Sequence, residues 1–279
     1  MNSFKTFILI AALTGLLVVL GNYLYGQMGA IIALAVGLLF NGFSYFFSDR
    51  IVLMSYRARV VTQQDAPQLY AIVENLAQRA GLPMPRVAIV PDQTPNAFAT
   101  GRNPDHAVVA VTEGITRMLS RHEIEAVLAH ETAHVKNRDI LIGSLSAVLS
   151  QAIMFLGNMA RFIMPRDRNG RANPLAGLAV AILAPIAAMM LQMAISRSRE
   201  YMADELAAKI TGRPDYLASA LEKISGLNKQ SPMQRAEPTS AHMMIVNPLS
   251  GAPLASLFST HPPIRKRIER LNSMKIQMY

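Results

Sequence analysis

The chain has 279 residues, 51% of them hydrophobic and 16% charged, and a mean hydropathy of +0.25. Soluble domains carry about 25% charged residues, so this deficit argues against an ordinary water-soluble domain and for a chain that lives in a bilayer. A net charge of +9 without a single cysteine excludes a disulfide scaffold; it suits anionic lipid headgroups, and no nucleic-acid-binding signature accompanies it.

Residues 6–48 contain no charged side chain. At ~1.5 Å per residue that is roughly 64 Å of helix, two crossings of a ~30 Å hydrocarbon core. Asn22 to Gln27 supplies the turn, and its Tyr23 and Tyr25 suit an interface. A second apolar run follows where a cleaved signal peptide would give way to polar sequence. Lys5 precedes the first span, and Arg50, Arg57 and Arg59 follow the second. The positive-inside rule therefore places both ends of this hairpin, and the polar region after it, in the cytoplasm.

Asp65-Ala66-Pro67 opens a helix with Leu69, Ile72, Val73 and Leu76 on one face, closed near Gly81. Arg86 to Val90 and His106 to Thr112 read as short strands, with Asn96-Ala97-Phe98-Ala99-Thr100-Gly101 between them. Ser120-Arg121-His122-Glu123 is a capping box, and Ile124, Val127, Leu128 and Val135 give the helix it starts a buried stripe. Two more uncharged runs, 140–160 and 173–196, are long enough to form a second hairpin. Arg161, Arg166, Arg168 and Arg171 in their connection oppose a full crossing, so its depth of insertion stays open. A helix begins near Arg197, Asn228 to Ser240 reads as a mobile polar loop, and a basic helix runs from Pro263 to Met274.

Inside the capped helix lies His130-Glu131-Thr132-Ala133-His134, the pattern H-E-x-x-H. Two histidines four apart project from one helical face and reach a single metal ion, while the glutamate points at its open position. A catalytic zinc needs a third protein ligand. Glu200 and Asp204 share a helical face, so one could bind the metal while the other holds a ligand histidine by its second nitrogen. The competing reading is a solvated acidic pair beside Arg197 and Arg199.

The H-E-x-x-H helix, the Ser-Arg-x-Arg-Glu-x-x-Ala-Asp run ending at Asp204 and the Asn96 to Gly101 segment together resemble the HtpX-like membrane zinc metalloproteases. These are relatives of the CAAX prenyl proteases among the Glu-ligand zinc peptidases. The resemblance implies one zinc ion per chain on His130, His134 and Glu200, with Glu131 as general base and Asp204 behind the ligands. It implies an α+β, mainly helical integral membrane protein with a zincin-like core and a small sheet. Its parts would be a transmembrane hairpin (1–48), a first catalytic segment (49–139), a second apolar hairpin inserted between the ligands (140–196) and a second catalytic segment (197–279). His261-Pro262-Pro263, with Arg267 beyond it, looks like the family's C-terminal His-Pro signature. His261 could donate to the oxyanion, or Arg267 could orient an active-site carboxylate; the competing reading is a rigid Pro-Pro entry into the last helix. His106 and His122 read as structural or exposed, and His242 as the weaker candidate for a role.

The chemistry expected is endopeptidase hydrolysis by zinc-activated water, Glu131 taking the proton and passing it to the leaving amine. An extended peptide would add to the strand edge formed by Asn96, Ala97, Phe98, Ala99 and Thr100 through main-chain hydrogen bonds. The resemblance implies quality control in a stress response, on unfolded, damaged or misfolded membrane proteins. The enzyme would be multi-pass in a bacterial inner membrane, its site facing the cytoplasm, with no nucleic-acid partner. The alternatives are a non-catalytic zinc-stabilised membrane scaffold or a latent protease homologue. Glu131 argues against the scaffold, since a closed structural site favours a fourth ligand over a poised base. A transporter is disfavoured because none of the four apolar runs carries a charge.

Overall fold

The structure, a computed structural model, describes residues 2–148, 197–230, 233, 241–246 and 262–277. Helix α1 (Asn2–Ser55) is two limbs joined at a break, where Tyr25 (φ −135, ψ 16) and Gly26 (φ 63, ψ −156) leave helical geometry. The break falls inside the expected turn, and Gly26 adopts a positive φ that a Cβ would disfavour. The limbs pack back on each other so closely that a Cβ on Gly21 or Gly29 would run into the other's carbonyl oxygen. Asn41 Nδ2 donates to Thr14 Oγ1 at 2.8 Å, and Thr14 donates to the Ile10 carbonyl at 2.9 Å. These two polar side chains thereby satisfy each other within an apolar pair. The second limb, Tyr25–Ser55 (31 residues), is long and apolar enough to cross a membrane; the apolar stretch of the first, Ile10–Tyr23, is shorter.

Beyond α1 lies a four-stranded mixed sheet of β1 (Arg59–Val61), β2 (Arg86–Val90), β3 (Ala97–Thr100) and β4 (Val108–Thr112). Its order is β1-β2-β4-β3, with β2 and β4 parallel and the other pairs antiparallel. Side chains alternate between faces as the strand period requires. Val87, Ala97, Ala99, Val109 and Val111 enter the larger core with Leu69, Leu76, Val127 and Leu128. Ala88, Val90, Phe98, Val108 and Ala110 face the other way, onto Val52, Leu53 and Tyr56 from the end of α1. The helical hairpin is thus fixed to the sheet by a continuous apolar contact.

Helices α2 (Pro67–Ala80) and α4 (Arg121–Lys136) follow the expected positions, with a short α3 (Glu113–Met118) between them that the sequence reading did not include, and α2 closes on Gly81 in the left-handed conformation (φ 66). Helices α5 (Arg197–Thr211), α6 (Pro214–Gln230) and α7 (Ile264–Gln277) complete the described body, α4 packing on both α5 and α6 and α7 on α6. Among the described residues the protein is mainly helical, with a small sheet and one helix long enough to span.

Two expectations are corrected. The strand expected from His106 begins only at Val108, because Pro104–His106 is a 3-10 turn whose His106 N–H is held by the Asn103 side chain. No loop begins at Asn228 as expected: α6 stays helical to Gln230, and Asn228 continues the buried stripe of Leu221 and Ile224 at helical spacing. Residues 140–148 are helical; the rest of the expected second apolar hairpin (149–196), most of 231–240 and His261 lie outside the described residues.

Candidate metal centre

Helix α4 is fixed at both ends. The Ser120 hydroxyl accepts the Glu123 N–H at 3.4 Å, and Glu123 Oε2 accepts the Ser120 N–H at 2.8 Å, closing the expected capping box. At the other end Arg138 takes a positive φ of 58, which folds the chain back so that the Asp139 N–H reaches the His134 carbonyl at 2.9 Å. That turn brings the Asp139 carboxylate beneath the second motif histidine.

His130 and His134 face Glu200 of α5. Their Nε2 atoms are 3.1 Å apart, and Glu200 oxygens lie 3.6 Å from His130 Nε2 and 3.5 Å from His134 Nε2. Tetrahedral zinc with ligands at ~2.0–2.1 Å would hold its donors about 3.3–3.4 Å apart. The three donors therefore fit one such ion, and two imidazoles with one carboxylate are chemistry suited to zinc.

Each histidine is gripped by its other nitrogen. His130 Nδ1 lies 2.9 Å from Asp204 Oδ1, and His134 Nδ1 lies 3.2 Å from Asp139 Oδ2. These contacts fix the rings so that both Nε2 atoms point at the shared position. Arg267, fully buried on α7, donates to Asp204 and stands 3.2 Å from Glu200 Oε2; it also donates to the Ile245 carbonyl at 3.0 Å. Arg199 Nε lies 3.5 Å from Asp139 Oδ1.

Electrostatics follow from this packing. Burial pulls the His134 imidazole down, but Asp139 and Glu200 outweigh it and carry the ring up to about 10. Burial pushes the Asp204 carboxyl up, yet the Arg267 guanidinium and His130 bring it down to about 2. Glu131 goes the other way: burial raises its carboxyl above the ordinary value, and the two neighbouring imidazoles only partly counter that.

Glu131 lines a cavity of about 60 Å³ together with Ala99, His134, Glu200, His242 and Met243. Strand β3 is the sheet edge beside it, though most of that edge is already engaged. The Ala97 carbonyl accepts the Ile245 N–H at 3.0 Å, and the Ala97 N–H donates to Asn96 Oδ1 at 3.1 Å. Asn96 Nδ2 donates to the Val246 carbonyl at 2.9 Å, and Thr100 Oγ1 pairs with Ser144 Oγ at 2.7 Å. Phe98 turns its ring to Tyr56 on the opposite face, 5.4 Å between centroids. Ala99 shares the parity of Ala97, so its N–H and C=O face away from β4, and among the described residues nothing pairs with them. The edge presented to the cavity narrows from Asn96–Thr100 to Ala99.

The structure thus gathers His130, Glu131, His134, Glu200, Asp204 and Arg267, and Glu200 and Asp204 are buried rather than solvated. His106 and His122 are exposed, the latter stacked on Tyr216 at 5.0 Å. His261 lies outside the described residues. Sequence reasoning missed Asp139, whose signal was an acidic residue five positions after His134. His242, the weaker candidate in the sequence, stands in the wall of the cavity with its Nε2 3.1 Å from the Gly143 carbonyl.

An H-E-x-x-H pair, its first histidine buried and its second partly so, closed by a glutamate from a second helix beside a sheet edge, defines a metallopeptidase. Comparison with known proteins then gives the family. The profile of Peptidase family M48 matches residues 63–275, and the chain belongs to that family. It is 55% identical over 279 residues to the Protease HtpX homolog of Pyrococcus furiosus, covering 98% of this chain and 96% of that protein. It is 54% identical over 276 residues to the Protease HtpX homolog of Desulforapulum autotrophicum, covering 97% and 89%. The resemblance read from the motifs is borne out. Among solved structures, the crystal structure of S. mikatae Ste24p shares the fold, with a TM-score of 0.55 at 18% identity over 97% of this chain; this chain spans 65% of that one's length.

Proposed function

We propose that the chain is a membrane-anchored zinc endopeptidase. The observation that carries this reading is the donor spacing of His130, His134 and Glu200, 3.1 to 3.6 Å, with Glu131 in the wall of the same cavity. Zinc, when bound, supplies Lewis-acid polarisation of a peptide carbonyl and acidifies a water. The chain's own residues do the rest. Glu131 holds a carboxylate whose raised proton affinity suits taking a proton from water and returning it to the leaving amine. Asp204 and Asp139 keep the imidazoles in the tautomer that leaves Nε2 free for the metal. Arg267 holds Asp204 and Glu200 in place, and His261 is assigned as the oxyanion donor.

Ala99 offers one outward N–H and one outward C=O to an extended peptide, which selects for unfolded main chain rather than for a side-chain type. That suits damaged or misfolded proteins, membrane proteins included, in a quality-control or stress-response role. Both limbs of α1 are assigned as spans of a bacterial inner membrane, with 49–139 and 197–279 forming the catalytic body on the cytoplasmic side and 140–196 a second hairpin. Lys5 and Arg50 in α1, with Arg57 and Arg59 just beyond its end, support that orientation. The test is cleavage of an unfolded protein by the purified full chain. Loss of cleavage on chelation and its return with zinc are expected; one tightly held zinc without any cleavage would favour the scaffold reading instead.

A further inference from the structure

A second cleft, of about 730 Å³, lies away from the metal centre, between the end of α1 and the catalytic body. Phe46, Phe47 and Arg50 line it from α1, and Arg86, Arg102 and Asp105 from the sheet side. Its place on α1 sets its depth. The limb from Tyr25 is uncharged to Ser48, and Asp49 and Arg50 are its first charges, so they fall at the boundary between hydrocarbon and headgroups. Phe46 (56% exposed) and Phe47 (36% exposed) form the apolar lip on the bilayer side.

Two guanidiniums are held at that lip by the same rings. The Arg50 guanidinium carbon stands 5.4 Å from the Phe47 centroid, and that of Arg102 stands 5.6 Å from Phe46. Arg102 also donates to the Phe46 carbonyl at 3.4 Å. Arg86 is occupied by an ion pair with Asp49. Among the described residues, Arg50 and Arg102 have no carboxylate partner, so their donors stay open toward the cleft. Asp105, exposed and also lining the cleft, repels a phosphate close to it but accepts from hydroxyl groups.

We propose that this cleft binds the headgroup of an anionic phospholipid, with its phosphate on Arg50 and Arg102, its hydroxyls toward Asp105 and its chains beside Phe46 and Phe47. Guanidinium forks match phosphate oxygens geometrically. The site would fix the height and tilt of the catalytic body above the membrane, since its two walls belong to the hairpin and to the sheet. The proposal rests on the reading of α1 as membrane-spanning.

The test uses the full chain in detergent with added lipid, counting bound lipids by native mass spectrometry. The wild type should retain one phosphatidylglycerol in preference to phosphatidylcholine. Arg50→Gln with Arg102→Gln should weaken that retention by about fivefold for each arginine. Arg50→Lys with Arg102→Lys should fall between, keeping the charge and losing the fork. A control pair of the same charge change at exposed arginines that do not line the cleft, Arg121→Gln with Arg265→Gln, should leave retention unchanged. Equal retention of both lipids by the wild type, or an equal loss in the control pair, would overturn the site. Displacement of the lipid by inorganic phosphate would also overturn it, identifying a phosphate-ion site instead. Alkaline extraction of membranes separates the two layers of the argument. A chain released by alkali refutes the spanning reading and the lipid site with it; a retained chain without lipid preference refutes the site alone.

Discussion

Arg267 donates two hydrogen bonds to Asp204 in the protein interior, 2.9 Å from Nε and 2.7 Å from Nη2. The pair ties α7 to α5 behind the candidate metal ligands, and Asp204 passes the constraint to His130. A cation with no solvent exposure is tolerable here because Asp204 and Glu200 both face it. Arg267→Met would leave those carboxylates buried without compensation and should destabilise the protein by about 3–5 kcal/mol. Unfolding in detergent, followed by circular dichroism, measures this; an unchanged midpoint would mean the pair contributes nothing net.

Asp204→Asn tests the orientation of His130 more gently. The amide keeps the shape but loses the charge that steadies the imidazole, and zinc affinity should fall about 10–100-fold. Asp139→Asn should act in the same direction on His134, from its 3.2 Å contact. Competition with a chromophoric chelator reads both, and wild-type affinity in either variant would reduce that aspartate to packing.

Much of this centre was legible in the sequence, for identifiable reasons. The spacing of His130 and His134 and of Glu200 and Asp204 is local, so helix geometry alone puts each pair on one face. The meeting of the two helices is not local, and there the motif combination supplied what spacing did not. Asp139 escaped because it works from a left-handed turn at Arg138, which no helical period encodes. The narrowing of the β3 edge to Ala99 escaped because its cover, Ile245 and Val246, comes from about 150 residues away. His106 was misplaced in a strand because apolar alternation carries no sign of the Asn103 cap.

Zinc binding should tighten as pH rises. In the metal-free site the His134 ring is protonated up to about 10, and zinc requires it neutral, so binding releases a proton. Affinity should climb by roughly tenfold per pH unit for each proton displaced. The linkage to folding has the opposite sign. With its folded value raised above the ordinary 6.5, the His134 proton stabilises the metal-free fold fully below that pH and loses its effect as pH approaches about 10. Isothermal titration at two or three pH values checks the first statement; a flat affinity would contradict it.

Ala99→Pro removes the one outward N–H that β3 offers the cavity. Proline is accommodated on an edge strand when its nitrogen faces away from the ladder, so the fold and zinc content should survive. Turnover of unfolded protein should fall by about tenfold or more, through loss of a main-chain contact and misplacement of the peptide. Zinc stoichiometry measured beside cleavage rate checks this, and wild-type turnover would place the substrate elsewhere.

The most direct measurement compares the purified full chain with its Glu131→Gln variant, reading zinc per chain and cleavage of an unfolded protein together. Glu131 is assigned as a base and not as a ligand, so both proteins should bind one zinc and only the wild type should cut. Equal cleavage by both would contradict the catalytic assignment, and loss of zinc from the variant would contradict the ligand set.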